Sequence, residues 1–400
     1  MSGDGVTSNT RTADGVDGFT EDRFAGARTA LADNLANGND LGSSFCATVE
    51  GQTVVDIWGG WATTTAIKTV IVLAIVPLTA LILGYIFLLK MMSHMQSRLG
   101  PMDPGGFHGW YQLIGDGLKF LQKEDIMPEE ADRRVFALAP AIVVLSTFLV
   151  FVVVPAGPRV TVASLDSKPM FDGVGVFYAL AVSSLSVIGV LMAGWASSNK
   201  YALLGALRAA AQLIAYELPL VLAVVGVVIQ TGTMSLQGIV FFQQSGEIFG
   251  WGGIGFPLIL TQFVGFALFM VAAQAELTQP PFDMPVAESE LVAGYMVEYT
   301  GFRFLFFFIG EFGTAFAFAA LAATMFLGGW STPWVHGVAA DYLGPLVLFA
   351  KVMFVAFLMF WARFTYPRFR EDQLQAIAWK WLIPIALANI MVTGILKVAF

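Results

Sequence analysis

Apolar residues run in long blocks along this chain. Eight windows, about 66–89, 135–155, 174–195, 212–231, 256–274, 302–325, 345–364 and 379–399, each hold about 20 mostly apolar residues, the length that crosses roughly 30 Å of hydrocarbon at 1.5 Å per residue. A lone apolar run in lipid satisfies its backbone only by coiling on itself, so each window predicts a membrane-spanning helix. Trp110 to Gln122 follows another pattern. Leu113, Gly117 and Phe120 fall on one side of a helix and Asp116, Lys119 and Lys123 on another, which predicts a short helix lying in the interface. The first residues alternate on a finer scale. Thr20 to Ala36 predicts an amphipathic helix, with Phe24, Ala27, Leu31 and Leu35 on one stripe and Gly38 closing it. Phe45–Val49 and Thr53–Trp58 alternate around Glu-Gly-Gln and predict a hairpin.

Composition turns this pattern into a fold class. The 400 residues are 57% hydrophobic and 12% charged, with a mean hydropathy of +0.72. A soluble chain carries about a quarter charged residues to keep a polar surface. The expected class is an all-α integral membrane protein of eight transmembrane helices, with a small N-terminal α+β extension. The net charge of −8 argues against nucleic acid as a partner. The single cysteine, Cys46, excludes disulfide frameworks, iron–sulfur ligation and cysteine zinc sites within the chain. His94, His108 and His336 are scattered, so no metal site is expected. No signal peptide is expected, because the N-terminus is polar. Chemistry must therefore involve carboxylates, or a cofactor shared with other chains.

The charge is unevenly spread. Residues 1–65 hold nine acids and three bases, and residues 66–400 hold twenty acids and eighteen bases. Domains are accordingly expected at 1–65, a polar extension, and 66–400, the membrane part. Lysine and arginine set the orientation. Thirteen bases, among them Lys90, Arg98, Lys119, Lys123, Arg133, Arg208, Arg303, Arg363, Arg368 and Arg370, flank the odd-numbered loops, against Arg159 and Lys168 on the even ones. The odd loops are expected in the cytoplasm and both termini outside. Soluble partners would dock on the long cytoplasmic loops.

Six acids lie between Glu276 and Glu311: Glu276, Asp283, Glu288, Glu290, Glu298 and Glu311, answered in that stretch by one base, Arg303. Pro285 reads as a helix start, on which Glu290, Gly294 and Glu298 would share a face, Gly294 leaving a gap between the carboxylates. Glu217 and Glu311 lie inside apolar spans. Bare carboxylates in hydrocarbon cost several kcal/mol, so such groups neutralise, pair or face water. Burial and like-charge neighbours push carboxyl pKa values upward, which suits a run of acids to passing protons near neutral pH. Solvated loop acids are the plainer reading of 276–298, but they account poorly for Glu217 and Glu311.

The run AELTQPPFDMPVAESELVAGYMVEYTGFRFLFFFIGEFG (275–313) resembles the signature of the quinone-site membrane subunit of respiratory complex I, the H subunit of the bacterial enzyme. MQSRLGP (95–101), DGLKFLQKEDIMPEEADRRVFALAP (116–140), AGWASSNKYALLGALRAAAQLIAYELPL (193–220) and FLGGW (326–330) agree in order and spacing. The resemblance covers 66–400. It implies a multi-pass subunit in a bacterial cell membrane that lines part of the quinone chamber of an NADH-quinone oxidoreductase and links quinone reduction to proton translocation. Glu217, Glu276, Asp283, Glu288, Glu290, Glu298 and Glu311 become the implied proton path. Arg98, Arg208 and Arg303 become the bases that balance it or contact the quinone head or lipid phosphate. FMN and iron–sulfur clusters would lie in partner subunits, and the implied partners are the soluble quinone-site subunits, neighbouring membrane subunits, quinone and membrane lipid.

The sequence also departs from the family. Leu88 and Leu89 stand where most members carry Glu-Arg, Met102 and Asp103 where Asn-Arg is usual, and Val286 where Glu commonly follows the loop proline. A homologous subunit of a membrane hydrogenase or other donor-linked complex fits the same pattern. An ion or solute transporter fits less well, since no repeat relates spans 1–4 to spans 5–8. Residues 18–62 resemble instead the opening of serine β-lactamase-like esterases. The chain enters span 1 where that family's Ser-x-x-Lys would follow, and Ser197–Lys200 lies within the membrane part. The extension is expected to have no hydrolytic activity.

Overall fold

The structure is a computed structural model that describes residues 16–20, 25–36, 42–49, 52–60, 78, 82, 84–106, 108–155, 173–246, 256–332 and 338–399. The chain divides into two compact units, Met1–Ile71 and Val72–Phe400.

In the first unit, β1 (Val16–Thr20), α1 (Ala25–Ala36), β2 (Gly42–Val49) and β3 (Gln52–Gly60) form a three-stranded antiparallel sheet, order β1-β3-β2, with one helix. The hairpin is longer than its alternating core, running from Gly42↔Gly60 to Val49↔Gln52 with a bulge between Ala47 and Thr48. Thr20 is not the start of the helix. It pairs with Val55 at the end of β1, a strand the apolar pattern did not announce, because ladder hydrogen bonds rather than side-chain periodicity hold it. Leu31 of α1 is buried.

From Val72 onward the described residues form helices and turns without a strand. A π-helical stretch, α2 (Gly84–Met91), runs into the short α3 (Met92–Met95). Most of the apolar window 66–89 lies outside the described residues, as do Arg159, Lys168 and His336. Next come α4 (Gln112–Gln122), α5 (Arg133–Phe151), α6 (Gly175–Ala196), α7 (Lys200–Thr231), α8 (Leu236–Ser245), α9 (Phe263–Glu276), α10 (Gly301–Phe326), α11 (Val338–Thr365) and α12 (Glu371–Ala399). Among the described residues, six helices are long and apolar enough to cross a membrane, in α5, α6, α7, α10, α11 and α12, and α9 is a shorter apolar helix.

Local chemistry sets the ends of these helices. The Asp132 carboxylate accepts from the Arg134 and Val135 N–H groups and opens α5. The Asn199 side chain accepts from Tyr201 N–H and opens α7, which Gly232 closes at φ 75°. Each cap satisfies a backbone group that the helix leaves unpaired. Helix α7 has 32 residues and is about 48 Å long. It starts twelve residues before the apolar window because Lys200–Ala211 is rich in alanine and leucine. Arg208 is therefore on a helix rather than in a loop, and Glu217 falls midway along α7. The window 256–274 is not one helix, since Pro257 and a 3₁₀ turn at Leu258–Leu260 precede α9.

Small residues bring the helices together. Gly194 on α6 lies against Ala202 and Ala206 on α7, with Ala193 and Ala196 buried beside it, the close backbone approach expected without a hydrophobic drive between helices in lipid. Phe312 on α10 stacks on Phe360 of α11 at 5.8 Å. Helix α12 is tied to the start of α9 by side-chain hydrogen bonds: Gln262 donates to Thr393 (2.7 Å) and Asn389 donates to Gln262 (3.0 Å). Trp379, Trp381, Met391 and Ile395 of the same helix are exposed.

One end of the helices carries the connection from α9 to α10. Leu277–Thr300 is not a helix begun at Pro285. It holds a cis Pro280–Pro281 bond, one helical turn at Glu288–Leu291 and a 3₁₀ turn at Gly294–Met296. Gly294 does not open a gap between carboxylates. Its backbone lies at φ +54° against the Pro285 carbonyl, and a Cβ on Gly205 of α7 would come within 2.7 Å of Gly294 Cα. Glycine on both sides lets this connection lie directly on α7. Gly294→Ala is expected to lower stability by about 1–3 kcal/mol, from the left-handed backbone and the carbonyl clash. Thermal unfolding of the detergent-purified protein checks this, and an unchanged midpoint would show that the connection gives way easily.

Candidate functional site

The acids gather in two places around the α9–α10 connection. Toward the helices, Glu217 of α7 and Glu276 at the end of α9 feel each other's charge, and Glu276 is buried. Glu311 of α10 accepts from Arg363 of α11 (3.1 Å) and from Gln279 Nε2 (3.0 Å). Arg363 also lies over the rings of Phe312 and Phe360. Asp283 is close enough to feel Glu311, Arg363, Arg368 and Glu288, and burial, with Glu311 and Glu288 adding to it against the two arginines, pushes its carboxyl up to about 6. Tyr295 belongs to this group too. Burial, then Glu311 and Asp283, push its hydroxyl up, so it stays a neutral phenol.

At the exposed rim, Glu290 accepts from Arg208 of α7 (2.7 Å) and Arg368 (3.2 Å), and Arg208 also faces Glu371 at 3.5 Å. The Arg208 hydrogen bond, with both guanidinium charges, holds the Glu290 carboxyl below its ordinary range. Glu288 is exposed beside this rim.

The expected face of Glu290 and Glu298 does not form. Glu298 turns to the start of α7, where Asn199 Nδ2 donates to it at 2.6 Å. Arg303 does not balance the acid run either. It pairs with Asp125 at 3.2 Å and lies over the Phe136 ring. Hydrogen bonds from Ile126 N–H to Thr300 Oγ1, and from Thr300 Oγ1 to the Glu124 carbonyl, fasten the same segment. Arg98 is exposed and donates to Gln96 on its own turn. Ser197 Oγ donates to the Ala193 carbonyl inside its helix.

Beside the acids is an apolar cavity of about 530 Å³ between α2, α4 and α10. Leu88, Leu89, Leu113, Phe120, Phe308 and Phe312 line it, with Asp116, Lys119 and Lys123 at the α4 side. Helix α10 thus presents Phe308 and Phe312 to the cavity and Glu311 to the buried carboxylates.

A family model described as NADH dehydrogenase matches residues 67–394, the cavity walls and both groups of acids included. The chain belongs to that family. Curated relatives are named as the H subunit of NADH-quinone oxidoreductase. The protein from Bacillus cytotoxicus is 45% identical over 312 residues, 78% of this chain and 87% of its own. That from Brevibacillus brevis is 44% identical over 330 residues, 81% of this chain and 92% of its own. The matched span begins after the last strand of the β-sheet, which ends at Gly60 and which the family does not account for.

Sequence reading missed the residues that balance the acids. Arg363 and Arg368 counted only toward topology, since 52 and 78 residues separate them from their partners. Tyr295 and Gln279 carried no charge to draw attention. The available signal was Arg208 within α7 and Arg363 in the last turn of α11, two arginines on apolar helices of a chain with an acid-rich connection.

Two outcomes follow from this geometry. Asp283 binds its proton more tightly folded than unfolded, where the value is near 4. The stability it supports is present at low pH and lost as pH rises through about 6. Asp283→Asn should match the parent's thermal midpoint near pH 4 and exceed it above pH 6; parallel pH profiles would refute this. Arg363→Met leaves the Glu311 charge uncompensated and should destabilise more than the double variant Glu311→Gln/Arg363→Met. Additive midpoints in that cycle would mean that the pair contributes nothing.

Proposed function

We propose that this chain is the H subunit of a proton-translocating NADH-quinone oxidoreductase, where it walls part of the quinone chamber and couples quinone reduction to proton movement. The supporting observation is that one helix serves both tasks. Phe308 and Phe312 of α10 line the apolar cavity while Glu311, between them, joins the buried carboxylates. A prenylated quinone has a long apolar tail and a small polar head. A slot of about 530 Å³ with apolar walls and a charged edge suits both parts. Leu88 and Leu89, at the positions where the family usually carries a charged pair, make that wall more apolar and direct it to the tail.

Glu217, Glu276, Asp283 and Glu311, the inner acids, form the proton path in this reading. Glu288, Glu290 and Glu298 form its outer approach, with Arg208 and Arg368 holding the rim in shape. Arg303 keeps α4 against α10 at the cavity, and Arg98 is placed to meet lipid phosphate. The chain crosses the membrane eight times, counting the window 66–89 and α9. The end bearing the acids faces the cytoplasm, where the soluble quinone-site subunits dock, and both termini are outside. FMN and iron–sulfur clusters belong to those partner subunits. Proton transfer along the acids stabilises the charge that appears when the quinone head is reduced, and the Arg363–Glu311 pair is the switchable contact between the two events.

Glu217→Gln and Glu276→Gln should lower quinone reduction and proton pumping together in inside-out vesicles while leaving the complex assembled; normal pumping by both would overturn the path. Ile309 of α10 also lines the cavity, and Ile309→Trp should fill it and raise KM for a long-tailed quinone several-fold, with a smaller effect on a tail-less analogue. Equal effects on both substrates would remove the cavity from the quinone route.

A further inference from the structure

The FLGGW run at 326–330, one of the motifs that carry the family resemblance, closes α10 at the end away from the acidic connection. It begins about 22 Å along the helix from Glu311. Left-handed glycines turn the chain there, with φ at +77° for Gly328 and +52° for Gly329. The Leu327 and Gly329 N–H groups donate back to the Ala323 carbonyl at 3.1 and 2.9 Å. Gln243 of α8, itself buried, donates to the Thr324 carbonyl at 3.0 Å. Lys351 of α11 meets the same turn. Its Nζ donates to the Leu327 and Ser331 carbonyls, each at 2.7 Å.

An ammonium within an apolar span is retained where partners answer its charge. Here the partner is the C-terminal end of α10, where aligned peptide dipoles leave about half a negative elementary charge. Hydrogen bonds from a charged donor are about twice as strong as neutral ones. The composition of α10 shows why it needs such a hold. Ala315, Ala317, Ala319, Ala320, Ala322 and Ala323 are all buried, so the far half of the helix has shallow ridges to interlock with its neighbours. Contact between such smooth surfaces changes little when a helix slides or turns, and directional bonds must set its register. Thr314 and Thr147 of α5 supply one neutral hydroxyl pair at 2.8 Å. Against α11 the ties are cationic and lie at two levels. Arg363 meets Glu311 at 3.1 Å, and twelve residues earlier Lys351 meets the FLGGW turn.

We infer that Lys351 is a positioning residue for the quinone reaction. By fastening the far end of α10 to α11, it fixes the register that puts Phe308 and Phe312 on the cavity and Glu311 on the acids. The inference rests on the reading of α10 as the shared wall of the quinone cavity and the acid cluster, and names what keeps that wall in place. The Arg363–Glu311 pair cannot be both the switch and the fixed point. When Glu311 changes charge that pair loosens, whereas Lys351 bonds to backbone carbonyls that do not titrate. Successive residues on a helix are about 100° apart, so a rotation of α10 by a fraction of that angle would turn Phe308 and Phe312 from the cavity.

The test uses the assembled complex in native membranes. Lys351→Met keeps the length of the side chain and removes its donors, and Lys351→Arg restores charge and donors. The readings are the amount of assembled complex, kcat and KM for a long-tailed quinone and a tail-less analogue, and proton pumping. In assembled Lys351→Met, KM for the long-tailed quinone should rise several-fold, with a smaller change for the analogue. Coupled turnover should fall about tenfold, within the range over which a distant change that misplaces a reacting group acts. Lys351→Arg should recover most of both. A role in stability alone would lower the amount of complex and leave KM of the assembled fraction unmoved, and that result would overturn the inference. Equal changes in KM for the two quinones would overturn it as well. If Lys351→Met fails to assemble, Lys351→Gln carries the test, since its shorter neutral side chain keeps a polar end; the same tail-dependent rise in KM is required of it. Ile309→Trp separates this inference from the reading beneath it. Equal effects of that variant on both quinones would remove the cavity, whereas its expected effect beside an unmoved KM in the Lys351 variants would remove the anchor alone.

Discussion

Carboxylates brought among apolar helices must be answered by positive charge, by hydrogen bonds or by a proton, since bare ions are strongly disfavoured there. The fold around residues 276–311 follows from that constraint. Glu311 is answered by Arg363 and Gln279, and Glu290 by Arg208 and Arg368. Asp283 is answered in part by a proton, with its carboxyl pushed up to about 6, and in part by the charges of Arg363 and Arg368. These partners come from α7, from the 275–282 turn, from the end of α11 and from the segment just after it. The cluster can exist only where those elements converge, which places it at one end of the bundle and nowhere else.

The same convergence needs close backbone contact. Gly205 and Gly294 allow the acidic connection to lie on α7, and the Gln212 amide, from within α7, bridges the Ala275 carbonyl at the end of α9 and the Phe282 carbonyl of that connection. On the opposite side, Asp125 with Arg303 and Thr300 with the 124–126 backbone fasten the segment after α4 to the start of α10. One set of contacts supports the carboxylates and the other supports the cavity. Helix α10 is common to both, so a change of charge at Glu311 and a change of occupancy beside Phe312 act on the same rigid element.

Much of the fold was legible because the membrane allows few solutions. Apolar runs of sufficient length must be helices, and the windows at 135–155, 174–195, 302–325, 345–364 and 379–399 coincide with α5, α6, α10, α11 and α12. The windows went wrong where hydropathy and helix propensity part. Alanine and leucine carry α7 well beyond its most apolar stretch, and Pro257 interrupts the run before α9. The expected helix from Pro285 failed for a related reason. Spacing alone put Glu290, Gly294 and Glu298 on one face, but the backbone there answers to Gly205 and Pro285, which no local period records.

By itself the sequence determined that the chain is a helical membrane protein, which residues are acidic, and that six acids stand with one base in 36 residues. It also carried, in motif form, the family to which residues 67–394 belong. Only the tertiary structure decided how this local imbalance is answered in space. The base within the stretch, Arg303, faces Asp125, and two of the acids, Glu311 and Glu290, are met by arginines 52 to 82 residues away. The physical reason is the range of the two kinds of information. Hydropathy and helix formation act over a few turns of chain, whereas a charge in a low-dielectric interior is settled by whatever lies within a few ångströms, regardless of where it falls in the sequence.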